Sequence, residues 1–284
     1  MDTSQDNRKQ LDSRLRPLLK NFSGTAAVAI RSVQGDFSYG YEENRILSTA
    51  STAKIFILGA LLEQCAGGKA SLSEKHTVKK KEIEGGSGVL RFLKPGIVLR
   101  IYDLAMLMVI ASDNTATNLL IDYVGGPVVV NEHLKRCKIM DSAINRRLSE
   151  DPAVMAKSSF AAATARDFTE YLRKMKLGRI LPVKYRKIFF GMMSGQLYKD
   201  LFLGAIPLLD DEAAETERGV RAANKTGFMP GIRCDVGAVS LENGEEYVYA
   251  VLTGDCKDTS SCVENEAGVL IRKIGRAFYE CCGQ

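Results

Sequence analysis

The sequence has no tryptophan among its 284 residues, and it has only two histidines and seven prolines. Its longest clean apolar run, residues 104–111, is far shorter than the roughly 20 residues that a membrane-spanning helix needs, so no membrane span is predicted. Hydrophobic residues make up 45% of the chain and charged residues 26%, which is enough for a sizeable core. This composition excludes disorder as a description of the whole chain.

The charge balance is mildly basic, with 39 basic and 34 acidic residues and a net charge of +5. The densest basic run, Lys79 to Lys81, is followed at once by Glu82 and Glu84, which is typical of a solvated charged surface. A nucleic-acid-binding protein would need a basic stripe with aromatic side chains on which bases can stack. We therefore expect no nucleic-acid partner.

The sequence gives little support for catalysis or metal binding by its histidines and cysteines. His76 and His133 lie in charged or polar segments typical of surface side chains, which disfavours a Ser-His-Asp triad or a histidine-based metal site. The seven cysteines have no metal-ligand spacing, and we expect most to be unpaired, with a Cys256–Cys262 loop disfavoured. No glycine-rich phosphate loop is present. We therefore expect no metal and no cofactor.

Hydrophobic periodicity predicts a helix at each end of the chain. Leu11, Leu15 and Leu18 share one face of the first helix, which we expect Pro17 to kink or restart. In the last helix, apolar residues recur along one face between positions 267 and 281.

Strands are predicted near both ends and helices between them. The first strands are 25–33 and 37–41, and a hairpin turning at Asn243-Gly244 joins strands 235–241 and 246–254. The chain from about 49 to 189 is mostly helical in pattern. The helical segments predicted there are 54–65, 101–111, 115–124 and 165–175.

This order of elements predicts an α/β fold of the α+β type. The expected architecture is an antiparallel sheet flanked by the two terminal helices, with an all-α lobe inserted. We interpret residues 1–284 as a single domain. Its α/β lobe would comprise 1–48 and 190–284, and its all-α lobe 49–189.

Ser51-Thr52-Ala53-Lys54 is an S-x-x-K motif at the start of an apolar helix. Residues three apart share one helical face, so the Ser51 hydroxyl and the Lys54 amine are expected side by side. The N–H groups at a helix N-terminus favour developing negative charge. A lysine acts as a base only after losing its proton, and burial among apolar neighbours assists that loss. The motif therefore indicates a serine nucleophile with a lysine base, and the alternative is chance, since an S-x-x-K occurs roughly once in a chain of this length at average composition.

Two further triplets follow along the chain. Ser112-Asp113-Asn114 is predicted on the turn between two helices, where an ordinary helix cap is the alternative interpretation. Lys225-Thr226-Gly227 is predicted just before a strand, where a turn with an exposed lysine is the alternative. All three motifs in this order are expected by chance in fewer than about one chain in a thousand.

Together these motifs resemble the penicillin-recognising serine hydrolases, and most closely the class A β-lactamases. The resemblance extends over most of the chain, from about residue 24 to residue 281, and it implies that family's fold of an α/β lobe and an all-α lobe. The stretches that carry it are LSTASTAKIFILGALLE (47–63), GSGVLRFLKPG (86–96), DLAMLMVIASDNTATNLLIDYVGG (103–126) and NKTGFMPGIRCDVGAV (224–239).

The resemblance implies a catalytic role for each of the first motif residues. Ser51 would be the acylated nucleophile, and Lys54 would help to deprotonate it. Ser112 would relay the proton to the leaving nitrogen, and Asn114 would hydrogen-bond the substrate amide. The backbone N–H groups of Ser51 and Phe228 would form the oxyanion hole.

The same resemblance implies a substrate-binding role for the last motif. Lys225 and Thr226 would hold the substrate carboxylate, with Gly227 completing the motif. Arg233 matches the carboxylate-binding arginine of many class A enzymes after a one-residue gap, and a salt bridge to a nearby acid is an equally supported alternative. Phe228 stands where a small residue is common and would narrow the pocket.

One departure from the class A pattern concerns deacylation. Those enzymes hold the water-activating glutamate in a loop with a pattern like R-x-E-x-x-L-N, but here Leu148 falls at the glutamate position and Pro152 at the asparagine position. Glu150 lies only two residues away and is a candidate for a relocated base. Losing such a base costs about 10²–10⁴ in rate, so we expect slow deacylation.

The leading hypothesis is thus a β-lactam-opening serine hydrolase with an acyl-enzyme at Ser51. The alternatives are a penicillin-binding D-alanyl-D-alanine peptidase and a non-catalytic module that binds a muropeptide or β-lactam. The expected partner is a small β-lactam or a peptidoglycan stem peptide, and the expected state is a monomer. The family implies a location outside the cytoplasmic membrane, whereas the polar first residues show no signal peptide.

Overall fold

The computed structural model describes residues 3–208 and 220–283. The helices are α1 (Thr3–Lys20), α2 (Lys54–Ala66), α3 (Ile101–Ile110), α4 (Asn114–Val124), α5 (Pro127–Arg136), α6 (Pro152–Met155), α7 (Ala165–Lys176), α8 (Val183–Ser194) and α9 (Glu266–Cys282). The strands are β1 (Thr25–Ser32), β2 (Ser38–Tyr41), β3 (Leu47–Ser48), β4 (Lys75–Thr77), β5 (Val98–Arg100), β6 (Ala143–Ile144), β7 (Ala161–Ala163), β8 (Arg221–Met229), β9 (Ile232–Ser240) and β10 (Glu246–Gly254).

The main sheet has five antiparallel strands in the order β2-β1-β10-β9-β8. Strands from the two ends of the chain meet at its centre, because β1 pairs with β10 from Thr25 opposite Gly254 to Ser32 opposite Tyr247. The predicted β9–β10 hairpin is present, and Gly244 in its turn has a φ of 86°. Strand β8 forms one edge of the sheet and carries the Lys225-Thr226-Gly227 motif.

The sheet separates two apolar cores. Val28 and Ile30 of β1 point to the core covered by the terminal helices α1 and α9. Ala27 and Ala29, on the opposite face, point to a core shared with the helices of the middle of the chain, α2 among them. This alternation is what a strand buried on both faces requires, since successive side chains point to opposite sides.

The predicted fold class is confirmed, but three details differ. Helix α1 runs unbroken through Pro17, so it does not restart there, whereas a kink at Pro17 stays a prediction; its buried residues Leu11, Leu15 and Leu19 face the core. The mainly helical middle also contains the β4–β5 ribbon and the strands β6 and β7, which form a three-stranded sheet with β3. The Lys225-Thr226-Gly227 motif lies inside β8 rather than before a strand, because β8 pairs with β9 along its whole length.

The single-domain and lobe boundaries stay a prediction.

None of the helices in the described ranges is long and apolar enough to cross a membrane. All seven cysteines are free thiols, so the Cys256–Cys262 loop is not formed.

Candidate active site

Ser51 lies on a short 3-10 turn, Ala50–Ala53, that leads directly into α2. Ala50 has a φ of 44°, in the left-handed region that residues with a side chain rarely adopt. Such strain persists only where the surroundings enforce it, and it is common at functional sites. The turn leaves Ser51 partly exposed while Lys54, three residues later, is fully buried.

The buried amine of Lys54 is the centre of a hydrogen-bond network. Its Nζ lies within hydrogen-bond distance of the Ser112 carbonyl oxygen (2.7 Å), Ser112 Oγ (3.1 Å) and Asn114 Oδ1 (3.0 Å). Burial lowers the pKa of Lys54 well below the ordinary lysine value, and the charge of Lys225 lowers it further, whereas Asp113 acts in the opposite direction. Low proton affinity next to a serine is what a lysine base needs.

The Ser112-Asp113-Asn114 triplet forms the tight turn between α3 and α4, as predicted. Ser112 has a φ of 55°, and Asp113 caps α4 by accepting a hydrogen bond from the Ala116 N–H (2.9 Å). The other Asp113 oxygen accepts from the N–H groups of Val89 (2.7 Å) and Leu90 (2.8 Å). The cap interpretation and the catalytic interpretation are thus compatible, since Asp113 caps while its two neighbours contact Lys54.

Asn114 connects Lys54 to the loop before α3. Its side chain accepts from Lys54 through Oδ1 and donates to the Gly85 carbonyl oxygen through Nδ2 (2.9 Å). Its backbone N–H donates to the Ser87 carbonyl oxygen (2.9 Å). These bonds hold residues 85–87 beside the buried amine.

Strand β8 brings the third motif against the Ser51 turn. A Cβ at Gly227 would lie 2.8 Å from the Thr49 carbonyl oxygen and 2.9 Å from the Ser51 nitrogen, so only glycine fits without displacement. Lys225 is fully buried, and burial lowers its pKa to about 7, with Asp235 acting in the opposite direction. The hydroxyl of Thr226 is buried and has no hydrogen-bond partner among the described residues.

Phe228 and Arg233 lie opposite each other in the β8–β9 pair and form one wall of the site. The Arg233 guanidinium lies 5.2 Å from the centre of the Phe228 ring, and the Tyr198 ring contacts that ring edge-on at 6.0 Å. Arg233 donates to three carbonyl oxygens, of Met229, Ile232 and Ser260. Within the part of the chain that the structure describes, Arg233 forms no salt bridge to an acidic side chain.

Tyr198 is held in this wall by a buried amide. Asn224 Nδ2 donates to the Tyr198 carbonyl oxygen (3.2 Å) and to Asp235 Oδ1 (3.0 Å). Asp235 also accepts from the Phe202 N–H (3.0 Å). The sequence motifs do not indicate Tyr198, because no local pattern shows that the chain after α8 returns to β8.

Ser51 of the first motif and Ser112 of the second border one cavity of about 500 Å³, whereas Lys225, Thr226 and Gly227 lie behind its lining residue Phe228 in β8. Its lining includes Ser51, Ser87, Ser112, Tyr198, Phe228 and Arg233. A cleft of this size suits a small-molecule substrate. The structure thus brings together the predicted nucleophile, the serine next to the buried lysine, and two of the predicted binding residues.

The loop after β6 carries Leu148, the residue that the sequence aligns with the class A glutamate. Its backbone is held by Asn118: Leu148 N donates to Asn118 Oδ1 (2.9 Å), and Asn118 Nδ2 donates to the Leu148 carbonyl oxygen (3.0 Å). Asn118 Nδ2 also donates to Glu84 Oε2 (3.1 Å). Sequence reasoning missed Asn118, although its spacing of four residues from Asn114 on one helix was an available signal.

Glu150 packs on the glycines that precede Ser87 and does not line the cavity. Any side chain at Gly85 would overlap the Glu150 carboxylate. A Cβ at Gly86 would lie 3.1 Å from Glu150 Oε1 and 2.6 Å from Asn114 Nδ2. The carboxylate therefore packs against Gly85 and Gly86, beside the Asn114 side chain.

His133 is buried, which corrects the prediction of a surface side chain. Its Nδ1 lies 3.1 Å from Glu63 Oε2, and its Nε2 lies 3.0 Å from the Tyr171 hydroxyl. Helix α5 is polar on its outer face only, and His133 lies on the inner face. Within residues 3–208 and 220–283, no cluster of three or more His, Cys, Asp or Glu side chains could hold a metal ion.

Comparison with known proteins identifies the family. A family model described as the Beta-lactamase enzyme family matches residues 10–282. The chain belongs to this family. Within it, the chain is similar to the class A serine β-lactamases, as the S-x-x-K, S-D-N and K-T-G motifs predicted.

The relatives of this β-lactamase-family protein are distant but cover most of its length. The β-lactamase of Rhodobacter capsulatus is 26% identical over 247 residues, which cover 85% of this chain and 78% of that protein. The crystal structure of a β-lactamase from Sphaerobacter thermophilus is 27% identical with a TM-score of 0.83, over 95% of this chain and 96% of that one.

A second structural relative is PBP-A. It is 25% identical, with a TM-score of 0.82 over 95% of this chain and 94% of that one. A PBP-A variant with a leucine replaced by glutamate was also solved, as an acyl-enzyme complex with penicillin G.

The two hydrogen bonds between the Asn118 side chain and the Leu148 backbone, which we call the Asn118 clamp, should stabilise the folded protein. Asn118→Ala removes both hydrogen bonds to the Leu148 backbone and leaves buried groups unpaired, so the free energy of unfolding should fall by about 1–3 kcal/mol. Urea denaturation measures this loss, and limited proteolysis within residues 145–160 should become faster. The matched control is Asn145→Ala, an exposed amide of the same loop bonded to Ser159. Equal behaviour of the two variants would contradict the clamp.

Proposed function

We propose that this protein opens β-lactam rings through an acyl-enzyme at Ser51 and releases the product slowly. The observation that carries the proposal is the buried Lys54 amine, bonded to Ser112 and Asn114 and one helical turn from Ser51. In this proposal, Ser51, Lys54 and Ser112 carry out the proton transfers that acylation needs. Deacylation needs a second base near a water molecule, and Leu148 occupies the position at which class A enzymes carry that base.

The proposed acylation step uses Ser51, Lys54 and Ser112. Ser51 Oγ loses its proton to the neutral Lys54 amine and attacks the lactam carbonyl carbon, forming a C–O bond. The backbone N–H groups of Ser51 and Phe228 stabilise the negative oxygen. The ring C–N bond then breaks, and the nitrogen takes a proton through Ser112, which Lys54 resupplies.

Substrate binding is assigned to the β8 side of the cavity. Lys225 and the unpartnered Thr226 hydroxyl would hold the substrate carboxylate. Arg233 contributes positive potential, although three of its N–H groups are used by backbone carbonyls. Phe228 and Tyr198 narrow the cavity beside the oxyanion hole.

A D-alanyl-D-alanine peptidase is the second candidate, favoured by the missing carboxylate and by the likeness to PBP-A. The same acyl-enzyme chemistry would then act on a cell-wall stem peptide. Release of D-alanine from a model peptide would identify this activity. The third hypothesis, a non-catalytic binding module, is disfavoured because every acylation group is present, and binding of a muropeptide without labelling by any β-lactam would support it.

Covalent labelling tests the nucleophile. Ser51→Ala should abolish labelling by a fluorescent penicillin on a denaturing gel, because the proposal makes Ser51 Oγ the atom that forms the bond to the lactam carbonyl carbon. Ser87→Ala is the matched control, since Ser87 lines the same cavity but contacts the network only through its backbone. Labelling that persists in Ser51→Ala would refute the assignment.

The acylation rate should depend on pH through both buried lysines. Below the lowered pKa of Lys54 the amine is protonated and cannot accept the Ser51 proton, so the rate should fall about tenfold per pH unit. Above about pH 7, Lys225 loses the charge that holds the substrate carboxylate, so the rate should fall again. Stopped-flow acylation with a penicillin measures both limbs.

The Lys225→Arg variant distinguishes the acid limb of the pH–rate profile, assigned to Lys54, from the alkaline limb, assigned to Lys225. Its guanidinium stays charged, so the alkaline limb should disappear while the acid limb remains. An acid limb that appears only near 10.5, the ordinary lysine pKa, would contradict the role of Lys54 as a base.

Restoring a carboxylate should speed up release of the product. Leu148→Glu should raise steady-state penicillin hydrolysis by about 10²-fold or more, because a base would then reach the deacylating water. Leu148→Gln is the control of equal size without a base and should show no gain. Glu150→Gln should leave deacylation unchanged; a loss of about tenfold or more would instead make Glu150 the relocated base.

A further inference from the structure

The positive charge of this protein is concentrated in one tenth of the chain. Residues 75–102 hold seven basic residues and two acidic ones, a net charge of +5. The remaining residues hold 32 basic and 32 acidic side chains, so the segment carries the entire net charge of the protein. The basic residues are Lys75, Lys79–Lys81, Arg91, Lys94 and Arg100, and all are exposed.

The two carboxylates of this segment do not neutralise its outer surface. Glu82 accepts hydrogen bonds from its own turn, at the Lys79 N–H (2.8 Å), and contacts His76 Nε2 (3.0 Å). Glu84 is directed inward to Asn118. The sequence alone suggested local charge balance, but the fold turns the acids away from solvent more than the bases.

Large apolar side chains are exposed in the same segment. Among the described residues, five of the fourteen exposed large hydrophobic side chains lie between Val89 and Tyr102. Phe92 is 73% exposed and Leu93 42%, at the tip of a turn flanked by Arg91 and Lys94. Exposed apolar side chains that lie together are typical of interaction sites, whereas single ones are common on any protein surface.

The geometry places the charges and the apolar tip together. The Gly96 N–H donates to the Val78 carbonyl oxygen (2.8 Å), which fixes the chain of the tip beside the start of the lysine run. In the β4–β5 ribbon, Lys75 pairs with Arg100 and Thr77 with Val98, so these exposed residues share one face. We call this surface, comprising residues 75–81 and 89–102, the basic–apolar face.

The tip is rigidly held, so its exposure is not a consequence of loose structure. Leu90 is buried, and the Val89 and Leu90 N–H groups bond to Asp113. The Phe92 N–H donates to the Val89 carbonyl oxygen (3.0 Å) and Leu93 to Leu90 (3.1 Å). The fold therefore presents Phe92 and Leu93 outward on a fixed support.

We propose that the basic–apolar face binds the surface of an anionic phospholipid membrane. Exposed lysines and arginines would contact the lipid phosphates, and Phe92 and Leu93 would enter the boundary between headgroups and acyl chains. The charge alone would suit any polyanion, but a polyanion in water gives no reason to expose Phe92 and Leu93 at the tip. The proposal is independent of the chemistry at Ser51.

Vesicle cosedimentation of the full chain tests the proposal. The protein should sediment with vesicles of phosphatidylcholine and phosphatidylglycerol in equal parts, much less with phosphatidylcholine alone, and less at high salt. Phe92→Ser with Leu93→Ser should lower partitioning by about tenfold or more. The control pair Val128→Ser with Met140→Ser, which removes similarly exposed side chains elsewhere, should not change it.

Two outcomes would overturn the proposal. One is partitioning that is absent, or equal in the Phe92/Leu93 and Val128/Met140 variants. The other is binding to random-sequence duplex DNA as tight as to the anionic vesicles and unchanged by Phe92→Ser with Leu93→Ser, which would indicate a general polyanion surface. The far-UV circular dichroism spectrum and the thermal unfolding midpoint should be the same in all variants and serve as the control for correct folding.

Discussion

The burial of one amine organises this site. Lys54 has no contact with solvent, and its hydrogen bonds join α2 to the α3–α4 turn and, through Asn114, to the loop at Gly85. A charged lysine is costly in such a place, so burial favours the neutral amine that can accept a proton from Ser51. The strained backbone at Ala50 and Ser112 persists because this network and the neighbouring strand enforce it.

The second constraint is the close approach of β8 to the Ser51 turn. Gly227 has no side chain because the space that a Cβ would fill is already taken by Thr49 and Ser51. This contact brings the sheet, built from both ends of the chain, against the helical middle, and the cavity opens where they meet. In the proposed function, the groups for acylation lie on the helical side and those for carboxylate binding on the side of β8.

Much of this was predictable from the sequence. The S-x-x-K, S-D-N and K-T-G motifs identify residues that the structure brings together, and the Asn243-Gly244 turn identifies the central hairpin. The Asn118 clamp, the position of Tyr198 and the burial of His133 were not predicted, because they depend on which segments meet in space. The same holds for the charge of residues 75–102, whose acids turn inward only in the folded chain.

We propose that the site forms an acyl-enzyme at Ser51 and that, with leucine at position 148, it lacks the carboxylate that would release it. The most direct test is an intact-mass time course of the unmodified protein mixed with a slight excess of a penicillin. We predict an adduct of one penicillin per chain that persists for hours. An adduct that disappears while hydrolysed penicillin accumulates would contradict the claim and show that another group activates the water.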